Sequence, residues 1–243
     1  MAEPAIKISG KKKSLFLDKV KEILPDGGNL NACLTCGACS SGCPATGVDG
    51  MDARKFLRMA AFGLDEEILT SKWVWACTMC QRCIYVCPMK INIPQLVFNV
   101  RAAWPMEDRP KGIKGSCAAA SKVDSCSAMG LTGDMFRETA EELLEEVKEE
   151  QEGMESLTAP FNKQDAHFFL NQNSREPQME EDEMVPVWKI LNKVGADWTY
   201  SDVGWAAENY CMFLADDEEW KKNVTIKANQ VDKLNSKVWL NTE

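Results

Sequence analysis

The stretch CLTCGACSSGCP, residues 33–44, and its second copy CTMCQRCIYVCP, residues 77–88, decide how this chain is read. Cys33, Cys36, Cys39 and Cys43, then Pro44, repeat in order and spacing as Cys77, Cys80, Cys83 and Cys87, then Pro88. Eight of the eleven cysteines fall in these two copies. Both read C-x2-C-x2-C-x3-C-P. Structural or disulfide-bonded cysteines have no reason to keep that spacing twice, with both prolines in register.

The pattern is the bacterial ferredoxin run for a 4Fe–4S cluster, and two runs predict two clusters. Each iron of the cube takes one thiolate. Three cysteines at x2 spacing wrap a tight loop around three corners, and the fourth ligand comes from the other run in two-cluster ferredoxins. This assigns Cys33, Cys36, Cys39 and Cys87 to one cluster, and Cys77, Cys80, Cys83 and Cys43 to the other. Pro44 and Pro88 release the chain from each loop with φ fixed. The intervening residues differ between copies. Small residues in the first let backbone N–H groups approach the sulfurs, and Arg82 adds positive charge in the second. Both effects raise a reduction potential.

Working outward, the chain has 243 residues, 45% of them hydrophobic, enough for one large or two small domains. The formal net charge is −9. Each cluster with its thiolates adds about −2, for a total of about −13. Such a charge argues against nucleic acid and favours partners with basic docking faces. No apolar run is long enough to span a membrane, and the N-terminus lacks a secretory h-region. Thiolates destined for iron suit a reducing compartment, so a cytoplasmic location is expected.

The sequence divides into four parts. Residues 1–27 form an arm with a lysine run and a helix begun by Ser14, with Phe16, Val20, Ile23 and Leu24 on one face. Residues 28–105 form the dicluster domain. Its spacer, 44–76, is helical: Asp49 or Asp52 caps a helix through Leu64, and a short helix runs over 65–72. A further helix runs over 93–104, with Pro94 in its first turn. Residues 106–164 are an acidic linker, containing a loop and, over 133–152, an exposed connector or partner-facing helix with a narrow apolar edge at Leu143, Leu144 and Val147. Residues 165–243 are a small α/β unit: a strand over 166–170, helices over 183–194 and 216–234, and a strand over 237–240. Two strands make a thin sheet, so this unit is expected to be incomplete, or completed by another chain. The fold class is mainly α: an α-helical ferredoxin with two 4Fe–4S clusters followed by this unit.

Little else in the chain performs bond chemistry. No nucleotide fingerprint or P-loop is present. His167, the one histidine, reads as a packed core residue of the first strand. Cys117 and Cys126 lie in a small-residue loop and read as ordinary thiols. Cys211, in an aromatic patch, reads as a buried thiol or as a ligand of a site completed beyond this chain.

The double run with its helical spacer resembles the dicluster ferredoxin module of heterodisulfide reductase small subunits and their relatives, over about residues 28–105. The stretch from Phe168 onward, with NQNSREP, VGADW, ENYCMFLADDEEW and KVWLNTE, looks like the opening of a CCG domain, as in sulfite-reductase-associated transmembrane redox complexes. The resemblance implies a non-catalytic electron-transfer subunit with a membrane cytochrome b-type partner and a cytoplasmic thiol or disulfide partner. It places the chain on the inner face of the cytoplasmic membrane without a span of its own. The alternative is a heterodisulfide reductase catalytic subunit, truncated or completed by another chain. A CCG domain needs several cysteines, and here that region holds only Cys211.

Overall fold

The computed structural model describes residues 30–242 together with Asp18 and Glu22. The N-terminal arm and most of the helix expected after Ser14 lie outside the described residues. The chain forms two compact units, divided between Pro110 and Lys111.

The first unit is helical. Its helices are α1 (Ala38–Ser41), α2 (Ala53–Ala61), α3 (Asp65–Leu69), α4 (Trp73–Ala76), α5 (Arg82–Val86) and α6 (Ile93–Ala103). Asp52, rather than Asp49, caps α2 by accepting from the Lys55 N–H at 2.8 Å. Gly63, at φ +69°, follows α2 and turns the chain toward α3. Pro94 sits in the first turn of α6, where its missing N–H removes no helical bond, and Asn92 caps the same end. Phe56, Leu57, Ala60, Ile68, Trp73, Leu96 and Val97 form the core, with the Phe56 and Trp73 rings 5.0 Å apart. Six of the motif cysteines pack against this core, so the helical spacer is the wall behind both runs.

The second unit contains α7 (Lys111–Ala120), α8 (Gly133–Glu150), β1 (Phe168–Asn171), α9 (Glu176–Met179), α10 (Met184–Lys193), β2 (Trp198–Thr199), α11 (Tyr210–Leu214), α12 (Asp217–Lys233) and β3 (Val238–Asn241). The strands form a parallel sheet in the order β2-β1-β3, with Phe168 opposite both Trp198 and Val238. The sheet thus has three strands rather than the expected two. The extra strand is two residues long, too short to show a periodicity.

Three further expectations are corrected here. The stretch after Pro110, expected as a loop because of Gly112 and Gly115, forms α7. The run 117–120 favours helix, and Cys117 and Ala120 are buried. Helix α8, expected as an exposed connector, buries Phe136, Ala140, Leu143 and Val147 at i, i+4, i+7 and i+11. They enter the core that holds Leu170, Trp188, Trp198, Tyr200 and Trp205. Its first residue, Gly133, lies so close to the loop after β2 that a Cβ would fall 2.2 Å from the Asp202 carbonyl oxygen. Arg137 of α8 holds the same loop by donating to the Asp202 carboxylate at 2.7 Å. His167 is exposed rather than packed, because it precedes β1: its carbonyl accepts from Lys237 and Val238, and its ring lies against Phe168. Among the described residues, no helix is long and apolar enough to cross a membrane.

Candidate iron–sulfur site

The two cysteine runs share a backbone shape as well as a spacing. Thr35 and Gly37 in the first have φ of +59° and +86°, and Met79 and Gln81, at the same positions in the second, have +57° and +63°. Left-handed residues alternating with ones of negative φ turn successive N–H groups toward one side, a concavity that suits anions and iron–sulfur centres. A left-handed conformation costs a non-glycine residue on the order of 1 kcal/mol or more. Thr35, Met79 and Gln81 adopt it all the same. A short helix follows each pair of left-handed residues, α1 after Gly37 and α5 after Gln81.

Two cavities lie against these loops. One is lined by Cys33, Cys36, Cys39 and Cys87. The other is lined by Cys43, Cys77, Cys80 and Cys83, with Cys39 also on its wall. Each cavity therefore gathers three cysteines of one run and at least one of the other. Among the described residues, no three His, Cys, Asp or Glu side chains converge closely enough for a single metal ion.

The electrostatics point the same way. Burial pushes the Cys83 thiol up to about 12, with further increments from Cys77, Cys39, Cys80 and Cys43. Burial likewise raises Cys77 and Cys39. The thiols gathered around each cavity, backed by an apolar wall, form a donor set that fits an iron–sulfur cluster.

Two arginines line the cavities, and a third is bonded to the backbone at the start of the second run. Arg54, exposed, reaches over Gly37 beside the first. Arg82, exposed, lies over Gly42 beside the second, where a Cβ on Gly42 would come within 3.2 Å of its Nε. Arg101, on α6, is only 1% exposed. It donates to the Val74 carbonyl through Nε at 2.8 Å and Nη2 at 2.6 Å, to the Cys77 carbonyl through Nη2, and to Met79 Sδ through Nη1 at 3.5 Å. Its guanidinium carbon lies 5.1 Å from the centre of the Trp75 ring. Burial draws its pKa down to about 10, the neighbouring Cys77 opposing the shift, so it remains cationic at neutral pH. Arg82 is legible within its motif. Arg101 is not, because it lies 24 residues from Cys77 and carries no motif signal.

The other three cysteines sit in the second unit. Cys117 of α7 and Cys211 of α11 are joined by a disulfide with Cα atoms 4.7 Å apart. This corrects the expectation of an ordinary thiol at Cys117 and of a buried free thiol or outlying ligand at Cys211. The partners are 94 residues apart, and only the packing of α7 against α11 brings them together. Cys126 is a free thiol as expected, 1% exposed, near the Asn223 carbonyl. Burial raises it from its ordinary 9.0 to about 11. Its contribution to stability is complete below pH 9 and is lost as pH rises through about 11. Native protein treated with iodoacetamide at about pH 8 is therefore expected to leave Cys126 unmodified, with full modification only after denaturation, read by peptide mass spectrometry.

Comparison with known proteins agrees with this geometry. The 4Fe-4S dicluster domain family matches residues 29–91. The C subunit of the H(2):CoB-CoM heterodisulfide,ferredoxin reductase of Methanothermobacter marburgensis is 34% identical over 82 residues, covering 34% of this chain and 43% of that one. A protein of Archaeoglobus profundus that is like the heterodisulfide reductase C subunit is 34% identical over 87 residues, 34% of this chain and 46% of its own. An iron-sulfur C subunit of the CoB--CoM heterodisulfide reductase of Methanocaldococcus jannaschii is 34% identical over 73 residues, 30% of this chain and 39% of its own. The chain thus spans less than half the length of these curated relatives. Residues 29–91 thus match the 4Fe-4S dicluster domain family, and over this part the chain is similar to iron–sulfur C subunits of heterodisulfide reductases.

Proposed function

We propose that this chain is an electron-transfer subunit of a multi-subunit, membrane-associated anaerobic redox complex. Cys33, Cys36, Cys39 and Cys87 hold one 4Fe–4S cluster, and Cys77, Cys80, Cys83 and Cys43 hold the second. The observation that carries the reading is the pair of cavities, each lined by cysteines from both runs. A 4Fe–4S cluster takes up and releases one electron at a time. The protein supplies the thiolates, the left-handed turns that aim backbone N–H groups at them, and an apolar wall that limits water.

The proposed partners are a quinone- or cytochrome b-linked membrane subunit on one side and a cytoplasmic thiol or disulfide protein on the other. The chain then sits on the inner face of the cytoplasmic membrane through that membrane subunit. The relatives named above are subunits of larger reductases, which supports assembly with other chains. The chain's acidic charge favours basic docking faces.

The test is anaerobic purification of the native protein with its bound subunits, followed by iron and acid-labile sulfide analysis. About eight irons per chain and a co-purifying haem-containing membrane subunit are expected. About four irons would remove the two-cluster reading. About twelve, in a preparation that reduces disulfides, would favour a catalytic disulfide reductase instead.

A further inference from the structure

We propose that Arg101 makes the cluster of Cys43, Cys77, Cys80 and Cys83 the higher-potential member of the pair, so that an electron entering the domain comes to rest there. This rests on the two-cluster assignment made above and adds a ranking that the spacing of the runs does not contain.

The charges around the two cavities are unequal. Each cavity has one exposed arginine beside it, Arg54 at the first and Arg82 at the second. Those charges face water and are screened by salt. Arg101 breaks the balance. It is buried, and its hydrogen bonds to the Val74 and Cys77 carbonyls fix its charge against the loop that carries the first ligand of the second run. A charge in the protein interior acts more strongly than the same charge in water. Reduction adds one negative charge to a cluster, and a fixed cation nearby stabilises the reduced form.

The first cavity has the opposite influence close by. Ser40 follows Cys39, and its hydroxyl donates to Asp52 Oδ1 at 2.6 Å. A hydroxyl has one proton to give. That proton serves the carboxylate, and Cys39 Sγ, 3.9 Å from the same oxygen, does not receive it. Burial alone would raise the Asp52 carboxyl, but hydrogen bonds from Ser40, Lys55 and Arg54 hold it below its usual range. A carboxylate thus stands one side chain away from Cys39 and opposes reduction there. The buried arginine is thus bonded to Cys77, and the serine-bound carboxylate stands next to Cys39, a ligand assigned to the other cluster.

The experiment is an EPR-monitored redox titration of the full chain with its clusters assembled under anaerobic conditions. In an otherwise wild-type background, Cys80→Ala is expected to abolish the signal that appears first on reduction, and Cys36→Ala to spare it. Arg101→Gln is expected to lower the potential of that signal alone. At a fixed applied potential its reduced-to-oxidised ratio falls about tenfold or more, which is about 59 mV for a one-electron couple. Arg101→Lys, which keeps the charge but not the planar fork, is expected to retain most of the wild-type value. A first-reduced signal that depends on Cys36 overturns the ranking. So does an Arg101→Gln protein with about eight irons and unmoved potentials, or with both moved equally. If Arg101→Gln fails to assemble, the Cys36 and Cys80 variants decide the ranking without it. A wild-type chain with about four irons instead overturns the two-cluster assignment, and the ranking with it.

Discussion

Cys43→Ala is expected to remove the cluster held by the second cysteine run and to leave that of the first run in place. Cys43 belongs in sequence to the first run, so the outcome is the reverse of what linear position alone implies. In the fold Cys43 lines the cavity of Cys77, Cys80 and Cys83, while Cys87 lines that of Cys33, Cys36 and Cys39. Pro44 and Pro88 direct the chain away directly after each of these crossing cysteines. Iron is expected to fall from about eight to about four per chain. The remaining EPR signal is expected to vanish when Cys36→Ala is added and to survive Cys80→Ala. Cys87→Ala gives the mirror pattern. Loss of the Cys36-dependent signal in Cys43→Ala would mean that each run ligates its own cluster. Because every ligand is also a covalent tie between distant segments, each loss is expected to lower the thermal stability of residues 30–110 as well.

The largest expected loss of stability in the second unit follows from Phe136→Ala. Phe136 is fully buried. Its ring stacks on Trp205 at 4.1 Å and meets Tyr200 at 4.9 Å and Phe161 at 5.3 Å, both edge-on. Removing a buried phenyl group costs about 3–5 kcal/mol, from lost burial and from the cavity left behind. Relaxation is restricted here, because Gly133 and Arg137 hold α8 against the loop after β2. Urea unfolding followed by near-ultraviolet circular dichroism reads this core through Trp188, Trp198 and Trp205. A variant with wild-type stability would return α8 to the role of an exposed connector, which its acidic sequence implied.

That helix shows where sequence reasoning stops. The apolar edge at Leu143, Leu144 and Val147 is visible in the chain. The acidic residues that crowd the same helix, from Asp134 to Glu150, obscure how deeply that face is buried at Phe136 and Ala140. Helix α12 is legible because it extends over many residues, and strand β1 because it falls in a short apolar run. Strand β2, with two residues, has no period to show, and its place in the sheet depends on pairing with Phe168 and Phe169. Helix α7 is hidden by two glycines whose propensity is outweighed by the packing of Cys117 and Ala120.

For the site over residues 33–88, the sequence by itself determined the ligand types, their spacing and the helical character of the spacer between the runs. Those are local properties, set by the geometry of a short loop around a cube and by the period of apolar residues. The crossing of Cys43 and Cys87 between the runs was also legible, from the motif; tertiary structure alone decided that Arg101 lies against the Cys77 carbonyl and that Cys117 meets Cys211. Each of these joins residues tens of positions apart. Such pairs are selected by the packing of helices around a common core, a sum of many weak contacts that leaves no spacing rule in the chain.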